Sequence, residues 1–250
     1  MSVLKGENLK KSYSRRLVVK GVDIKIESSS IVALLGRNGA GKTTTFQMIV
    51  GLVNADSGAI YLDKKNITKY PTHERACEGI SYLPQESSVF LKTTVENNIK
   101  MILGIRGYNK IKQNEKSEML LNEFGLIDLK RQASHTLSGG ERRRLEICRS
   151  LALNPKFLLL DEPFTGIDPL TSIELQQILL KLKEKEIGII LSDHNVCDAL
   201  KIADRAYIID DGKILVEGRP SEVAADEKAR ERFLGKSFKI GSEIETYSSR

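Results

Sequence analysis

The stretch that most constrains the fold of this chain is GRNGAGKT at positions 36–43. It follows the short apolar run IVALL (31–35) and precedes a helical pattern that extends from about Gly41 to Gly51. A glycine-rich loop between a buried strand and a helix, ending in Gly-Lys-Thr, surrounds a phosphate with backbone N–H groups and the positive end of the helix. The sequence therefore predicts a phosphate-binding loop in a parallel α/β sheet.

Lys42 and Thr43 are the functional side chains of this loop. We expect the Lys42 ammonium to bridge the β- and γ-phosphates of a nucleotide and the Thr43 hydroxyl to ligate Mg²⁺. A glycine-rich turn capped by threonine is the alternative interpretation, which the spacing and the flanking strand and helix disfavour. The predicted nucleotide contacts are Arg37, Asn38, Gly39, Ala40, Gly41, Lys42, Thr43 and Thr44.

Hydrophobic periodicity divides the chain into three kinds of structure. The first thirty residues alternate apolar and polar side chains, which predicts antiparallel strands with one solvated face. Residues 86–150 carry apolar side chains three or four positions apart and predict a mostly helical insertion. From residue 157 short apolar runs alternate with helical patterns. The predicted fold class is α/β: a P-loop NTPase core with an antiparallel β-subdomain and a helical subdomain at about 86–150, within one domain over 1–240 that a polar tail at 241–250 follows.

Positive charge is concentrated at the start of the chain. The formal net charge is +6, and residues 1–50 hold nine Lys or Arg against three Asp or Glu, whereas the other 200 residues hold thirty of each. A basic surface beside a phosphate loop attracts an anionic ligand. Nucleic-acid binding is disfavoured because no aromatic-rich basic stripe accompanies the charge.

Cysteine usage and hydropathy indicate the cellular compartment in which the protein is expected. Cys77, Cys148 and Cys197 lack the spacing of zinc sites, so we expect ordinary thiols in a reducing compartment. The first residues lack the apolar core of a signal peptide, and no apolar run approaches the roughly 18–20 residues that span a bilayer. We therefore expect a cytosolic protein that associates with a membrane only through a partner.

The run FLLLDEP at 157–163 predicts the second part of a nucleotide site, because it is a buried strand that ends in two acids. Asp161 is expected to hold Mg²⁺, with water between them, since Mg²⁺ keeps much of its hydration shell. Successive strand residues point in opposite directions, so the Glu162 side chain is expected to contact a different atom from Asp161. We expect Glu162 to orient and deprotonate the attacking water. The alternative is a pair of solvated acids that close a strand.

Three further side chains are candidates for the same site. Gln85 in YLPQ follows a short strand, and its amide is expected to contact both metal and water. His194 follows the strand GIIL, and a ring nitrogen there is expected to contact the γ-phosphate. Tyr13 offers a stacking face for adenine. The alternatives are a surface glutamine, an ordinary loop histidine and a tyrosine packed in the core.

A second candidate phosphate site begins at LSGGERRRLE (137–146). Ser138 and Glu141 have the spacing of a capping box, so a plain capped helix is one interpretation. Capping alone does not call for two consecutive glycines, whereas close approach of an anion to the free N–H groups does. This stretch lies far in sequence from the strand ends of the first site. The interpretation that we favour is a two-fold dimer, in which the stretch from one chain covers the nucleotide bound by the other.

Six motifs together resemble one protein family. In chain order they are GRNGAGKT, Gln85, LSGGE, LLLDEP, GIDP and His194. In order and spacing they resemble the nucleotide-binding subunits of ATP-binding-cassette (ABC) transporters, over about residues 1–240. The resemblance implies an ATPase that binds ATP and Mg²⁺, forms a homodimer and associates with permease subunits on the cytoplasmic face of the inner membrane.

The resemblance also implies roles for single residues. Ser138, Gly139 and Gly140 would grip the γ-phosphate bound by the other chain. Tyr13 would stack on adenine, and Asp168 of GIDP would communicate across the dimer. Phe90 would line a groove that receives a short helix of the membrane subunit, although an aromatic residue there is equally compatible with packing.

Within the family, GERRRLEICRSLALNPKFLLLDEPFTGIDP and the ending DEKARERFLGKSFKI most resemble the ATPases of lipopolysaccharide export. The ATPases of branched-chain amino-acid import share the compact size and YLPQ, and they are the nearest alternative. A soluble ABC ATPase of translation or DNA repair is expected to carry a tandem cassette or a coiled-coil insertion, and this chain has neither. A non-hydrolysing nucleotide-binding module is expected to lack Glu162 or His194.

Overall fold

The chain folds into two β-sheets with helices packed on them. A computed structural model describes residues 1–238, so the predicted tail at 241–250 lies outside the described residues. The strands are β1 (Val3–Tyr13), β2 (Arg16–Glu27), β3 (Ile31–Leu35), β4 (Ser57–Leu62), β5 (Lys65–Asn66), β6 (Ile80–Leu83), β7 (Phe157–Asp161), β8 (Gly188–Ser192), β9 (Arg205–Asp210) and β10 (Lys213–Gly218). The helices are α1 (Lys42–Val50), α2 (Thr72–Glu78), α3 (Val95–Ile105), α4 (Lys110–Glu123), α5 (Gly139–Leu151), α6 (Pro169–Glu184), α7 (Val196–Ile202), α8 (Pro220–Ala225) and α9 (Glu227–Ala229).

A six-stranded sheet forms the centre of the molecule, in the order β10-β9-β3-β8-β7-β6. Its first five strands in sequence run parallel, and β10 pairs antiparallel with β9 at one edge. Strands β3, β7 and β8 are buried along their whole length, which is why their sequences are continuously apolar rather than alternating. The sheet confirms the predicted parallel α/β core.

A second, antiparallel sheet has the order β2-β1-β4-β5. Strand β1 pairs with β2 along its length, from Val3 opposite Glu27 to Tyr13 opposite Arg16. Buried and more exposed residues alternate through the second half of β2, so one face of the sheet packs on the core and the other is solvated. The predicted N-terminal strands are therefore confirmed. Strands β4 and β5 and helix α2 were not among the predicted elements.

Each face of the central sheet packs against a different layer. One face, with α1, contacts the antiparallel sheet through a cluster that includes Val32, Phe46 and Leu159. The other face packs on α3–α7 through a cluster that includes Ala33 and Leu158. Because successive strand residues point to opposite faces, neighbouring residues of β3 and β7 belong to different clusters.

The region between β6 and β7 is helical, as predicted, and contains α3, α4 and α5. Thr94, Asn109 and Ser138 cap these helices by accepting hydrogen bonds from backbone N–H groups of the first turn. Within residues 1–238, no helix is both long and apolar enough to cross a bilayer.

A buried arginine fixes the end of α1, the helix that follows the phosphate loop. Arg75 of α2 is 1% exposed, and its guanidinium donates hydrogen bonds to the carbonyls of Met48 and Ile49 at 2.6 and 2.7 Å. It also donates to the carbonyls of Tyr70 and Thr68, each at 2.8 Å. Burial lowers the pKa of the guanidinium to about 10. A cation that satisfies the last carbonyls of a helix opposes the negative end of its dipole.

We predict that Arg75→Ala lowers the free energy of unfolding by about 3–5 kcal/mol, because two buried and two partly buried carbonyls lose a charged donor. Urea denaturation of the two proteins measures this difference. Arg131→Ala, at an exposed position, is the control and should change stability by about 0.5 kcal/mol or less. A loss for Arg75→Ala no larger than that of the control would contradict this structural role.

Candidate functional site

Four loops meet at one edge of the central sheet. They follow the carboxyl ends of β3, β8, β7 and β6, which lie next to one another in that order. Parallel strands end at the same edge, so residues far apart in sequence come together there. The phosphate loop, the acids after FLLL, His194 and Gln85 therefore belong to one region of the surface.

The phosphate loop owes its path to glycines at two positions. A Cβ atom on Gly36 would lie 2.2 Å from the carbonyl oxygen of Ile209, so β9 leaves no room for a side chain. Gly41 caps α1 in the left-handed region, with φ of 110°. The loop can therefore turn tightly between β3 and α1 and present the first N–H groups of the helix.

Lys42 lies at the base of this loop and is 6% exposed. Its ammonium donates hydrogen bonds to the carbonyls of Gly36 at 2.7 Å and Arg37 at 3.1 Å. Burial lowers the pKa of Lys42, and the carboxylates of Glu162, Asp161 and Asp193 oppose that shift. A buried cation beside three acids sets the charge balance of the site.

A cavity of about 270 Å³ lies against the loop. Its walls come from β2, from the loop with the first turn of α1, and from the segments after β6, β7 and β8. The lining residues are Val18, Asn38, Gly39, Gly41, Lys42, Thr43, Thr44, Gln85, Glu162 and His194. The structure therefore brings two predicted groups together, the phosphate loop and the hydrolytic side chains.

Arg37, Ala40 and Tyr13 are among the predicted residues that do not line this cavity. Arg37 is exposed on the loop, and Ala40 is buried behind it. Tyr13 ends β1 with its side chain 43% exposed, and the Lys11 ammonium lies 5.7 Å from the ring centroid. The Tyr13 ring is thus a surface feature and not part of the core, which had been the alternative interpretation.

Glu162 contacts both of the other candidate hydrolytic residues. Its Oε2 accepts a hydrogen bond from Nε2 of Gln85 at 2.7 Å, and its Oε1 lies 2.6 Å from Nε2 of His194. The carboxylate is 8% exposed, and the backbone has a φ of 51°, in the left-handed region. Such a φ is uncommon for a residue other than glycine and marks a sharp change of direction after β7.

Asp161 points away from Glu162, as the alternation along a strand requires. It is 1% exposed and accepts hydrogen bonds from the hydroxyls of Ser192 and Tyr82. Burial, together with the nearby carboxylate of Asp161, raises the pKa of Tyr82, so its phenol stays protonated and donates. The two hydroxyls hold the carboxylate in place at the strand end.

Asp193 fixes the loop that carries His194. Its carboxylate accepts hydrogen bonds from the backbone N–H groups of Phe164 at 2.7 Å and Asn195 at 2.8 Å. Burial raises its pKa, although these N–H groups favour the ionised form and oppose that rise. Asp193 thereby joins the loop after β8 to the loop after β7, which positions His194 against Glu162.

The second predicted phosphate site is the start of α5, which we call the nest (Ser138, Gly139 and Gly140). Ser138 and Glu141 form a complete capping box: the Ser138 Oγ accepts from the Glu141 N–H at 3.3 Å, and the Glu141 carboxylate accepts from the Ser138 N–H at 2.8 Å. Ser138 and Gly139 are exposed, and no nest residue lines the 270 Å³ cavity. A smaller cavity of about 190 Å³ separates Gly139 from Glu162.

A buried ion pair that the sequence analysis did not single out joins α5 to the strand end. Arg143 and Glu146 lie 2.8 Å apart on α5, and Arg143 also donates to the carbonyls of Asp161 and Glu162. The Glu146 carboxylate accepts from the backbone N–H of Ser88, three residues after Gln85. The spacing of three within a helix was the available signal, but the arginine run gave no indication of which member is buried.

Phe90 and Asp168 occupy separate positions on the surface. Phe90 is 46% exposed, with the Arg149 guanidinium 4.7 Å from its ring centroid, and buried Asn98 bonds both its N–H and its carbonyl. Asp168 caps α6, accepting from the Thr171 N–H at 3.0 Å and the Thr171 hydroxyl at 2.6 Å. These hydrogen bonds lower the pKa of Asp168, so it is ionised at neutral pH.

Comparison with known proteins agrees with this geometry. A protein-family profile described as ABC transporter matches residues 19–165, more than half of the chain. The chain belongs to the ABC transporter ATP-binding family. It is 47% identical over 238 residues to the lipopolysaccharide export system ATP-binding protein LptB of Acidithiobacillus ferridurans, covering 95% of this chain and 99% of that protein. It is 44% identical over 241 residues to LptB of Escherichia coli K12, covering 96% and 100%.

Solved ABC structures share the whole fold. The ATP-binding cassette MJ1267 in its ADP conformation superposes with a TM-score of 0.85 and 28% sequence identity, covering 94% of this chain and 100% of that one. A nucleotide-free cassette of an ABC transporter gives a TM-score of 0.84 and 27% identity over the same share of each chain. The chain is therefore an ABC ATPase, which binds nucleotide and couples ATP hydrolysis to transport.

Proposed function

We propose that this ABC ATPase powers the extraction of lipopolysaccharide from the inner membrane for export to the outer membrane. The observation that carries the proposal is the 44–47% identity to LptB proteins along almost the whole of both chains. In this proposal the chain supplies ATP turnover at the cytoplasmic face, and permease subunits supply the membrane path.

Glu162 is the proposed general base of hydrolysis. Its two carboxylate oxygens face Gln85 and His194 separately, which holds the carboxylate in one orientation. In that orientation it takes a proton from the attacking water while the water oxygen bonds to the γ-phosphorus. The bond between that phosphorus and the β–γ bridging oxygen breaks, and ADP leaves with the electron pair. His194, at the mouth of the cavity, is proposed to contact the γ-phosphate.

The loop residues are proposed to bind the nucleotide. The first N–H groups of α1 and the Lys42 ammonium surround the β- and γ-phosphates, and Thr44 borders the same cavity. Lys42 must exchange the carbonyls of Gly36 and Arg37 for phosphate oxygens, which a flexible four-carbon side chain allows. Tyr13, exposed at the end of β1, is proposed to stack on adenine.

The oxygen atoms near the loop fit Mg²⁺, which prefers hard oxygen ligands. Thr43 and Gln85 line the cavity, and the carboxylate of buried Asp161 interacts electrostatically with Lys42, which lines it too. Gln85 donates its N–H to Glu162, which leaves its amide oxygen for a cation. When bound, Mg²⁺ would neutralise charge on the β- and γ-phosphate oxygens.

We propose that two copies of the chain share two nucleotides. Ser138 and Gly139 of the nest are exposed, and a Cβ atom on Gly139 would have no atom of residues 1–238 within 4 Å, which supports contact from outside the chain at this position. Gly139 and Gly140 supply N–H groups that the capping box does not use. The nest of one chain is proposed to grip the γ-phosphate in the other, and Asp168 is proposed to communicate across the same interface.

Phe90 is proposed to couple the ATPase to its permease. The side chain of buried Asn98 fixes the Phe90 backbone by hydrogen bonding, and nearly half of Phe90 is open to solvent beside exposed Leu91. The Arg149 guanidinium lies over the Phe90 ring and also donates a hydrogen bond to the Ser88 carbonyl. The exposed residues Phe90 and Leu91, which we call the coupling surface, are therefore joined to the segment that follows Gln85. A short apolar helix of a membrane subunit is the proposed occupant.

Isolation of the tagged protein from its native membranes tests the transport assignment. We expect lipopolysaccharide-export permease subunits to co-purify and to be identified by mass spectrometry. Recovery of an amino-acid import permease would contradict the assignment to lipopolysaccharide but not the ATPase activity.

We predict that Glu162→Gln retains ATP binding, lowers turnover by roughly 100-fold or more and accumulates an ATP-bound dimer, because the base is lost while the nucleotide contacts remain. Phosphate release and size-exclusion chromatography with ATP measure the two effects. Glu184→Gln, at an exposed position, is the control. Turnover of Glu162→Gln at the wild-type rate would exclude the proposed base.

Ser138→Arg and Gly139→Asp should each abolish hydrolysis while the monomer still binds ATP, because the lost contact lies in the other chain's site. Equilibrium binding of a fluorescent ATP analogue and a phosphate-release assay separate the two. Met119→Arg, 57% exposed on α4, is the matched control. Loss of monomer binding would instead assign the nest to its own chain's nucleotide.

Phe90→Ala should leave the ATPase activity of the isolated protein within about 2-fold of wild type and abolish transport, because only the permease contact is removed. Transport by the reconstituted complex measures the second effect. Ile105→Ala removes a side chain that is 82% exposed on α3 and serves as the control. If Phe90→Ala instead prevents folding of the soluble protein, Phe90 is a packing residue.

A further inference from the structure

The first turns of α5 and α6 approach each other closely within one chain. A Cβ atom on Gly140 would lie 2.7 Å from Cγ2 and 3.0 Å from Oγ1 of Thr171. A Cβ atom on Gly139, one residue earlier, would meet no atom of the described residues 1–238 within 4 Å. The two glycines of the nest therefore stand in different environments, although they are adjacent in sequence and both lie in the first turn of α5.

Thr171 cannot easily move away from Gly140. Its hydroxyl donates to one carboxylate oxygen of Asp168 at 2.6 Å, and its N–H donates to the other at 3.0 Å. These bonds form the cap of α6, and they hold the threonine methyl group against the start of α5. A contact of 2.7 Å between carbon atoms is far inside van der Waals distance, so a side chain at 140 would have to displace this cap.

A second contact joins the same two helices one turn further along. Arg144 of α5 and Glu174 of α6 form an ion pair at 2.6 Å. Both side chains are partly exposed, so the pair by itself adds little stability. Together with the Gly140–Thr171 contact, however, it restrains both the separation and the rotation of α5 relative to α6.

We infer that Thr171 is a positioning residue for the nest, and that position 140 must be glycine to fit Thr171 of the same chain. Gly139, in contrast, must be glycine to admit a group from outside the chain. The nest and Asp168, which caps α6, are consequently held in a fixed arrangement relative to each other. Both face the other chain of the proposed dimer in that arrangement. This inference rests on the proposed nucleotide-bridged dimer.

A double-mutant cycle tests the fit between Gly140 and Thr171. All variants carry Glu162→Gln, and the quantity measured is the ATP concentration at half-maximal dimer formation, by analytical ultracentrifugation. Gly140→Ala should raise this concentration at least about 10-fold over the Glu162→Gln parent, and adding Thr171→Ala should bring it to within about 3-fold of the value for Thr171→Ala alone. Gly139→Ala should raise it as well, but Thr171→Ala should give no recovery there. ATP affinity of the monomer and Tm are measured on every protein.

The outcomes separate this inference from the proposed function. If Gly140→Ala with Thr171→Ala is as defective as Gly140→Ala alone, the glycine is not required by Thr171 and the inference is wrong. If Glu162→Gln alone gives no ATP-dependent dimer, the proposed dimer itself fails.

Thr171→Val provides an independent arm if Gly140→Ala does not fold. It keeps the shape of the side chain that faces Gly140 but removes the hydrogen bond from the hydroxyl to Asp168, so the side chain at 171 is no longer held in place by that bond. We expect the half-maximal ATP concentration to rise about 3-fold or more, with unchanged monomer affinity for ATP. Thr171→Ser, which retains the hydroxyl, should not show this rise. An unchanged value for Thr171→Val would contradict the positioning role.

Discussion

The site depends on burying one lysine among three carboxylates at the edge of a parallel sheet. Lys42, Asp161, Glu162 and Asp193 come from three strand ends, and all four are almost excluded from solvent. Each charge there needs partners, because water is not available to solvate it. The hydroxyls of Ser192 and Tyr82, the N–H groups after β7 and β8, and the carbonyls of the loop supply these partners.

Helix α5 connects this edge to two other surfaces. At its start Ser138 and Gly139 are exposed, whereas Gly140 packs on α6. The next turn contributes Arg143, which donates to the carbonyls at the end of β7, and Glu146, which accepts from the segment after Gln85. Arg149, near its other end, lies over Phe90. A displacement of α5 would therefore change the positions of Glu162 and of the coupling surface together.

Much of the fold could be predicted from the sequence, because the signals were strong and local. Buried runs such as those of β3 and β7 define parallel strands, and the alternation in β1 and β2 defines an antiparallel pair. Strands β4 and β5 and helix α2 lacked such signals. The site residues Gln85, Glu162 and His194 were recognisable from their positions after strands, but Ser192, Asp193 and Arg143 were not, since nothing in their local sequence shows what they contact.

The sequence by itself determined the phosphate loop, the acids at the end of β7 and the capping box of the nest. Each depends on residues within a few positions of one another, where backbone geometry leaves little freedom. The tertiary structure alone decided that Glu162 lies between Gln85 and His194 and that Arg143 is the buried member of its run. It also decided that Gly140 lies against Thr171, whereas a Cβ atom on Gly139 would have no atom of the described residues within 4 Å. These contacts join residues 18 to 77 positions apart, and only the packing of strands and helices can set distances over such separations.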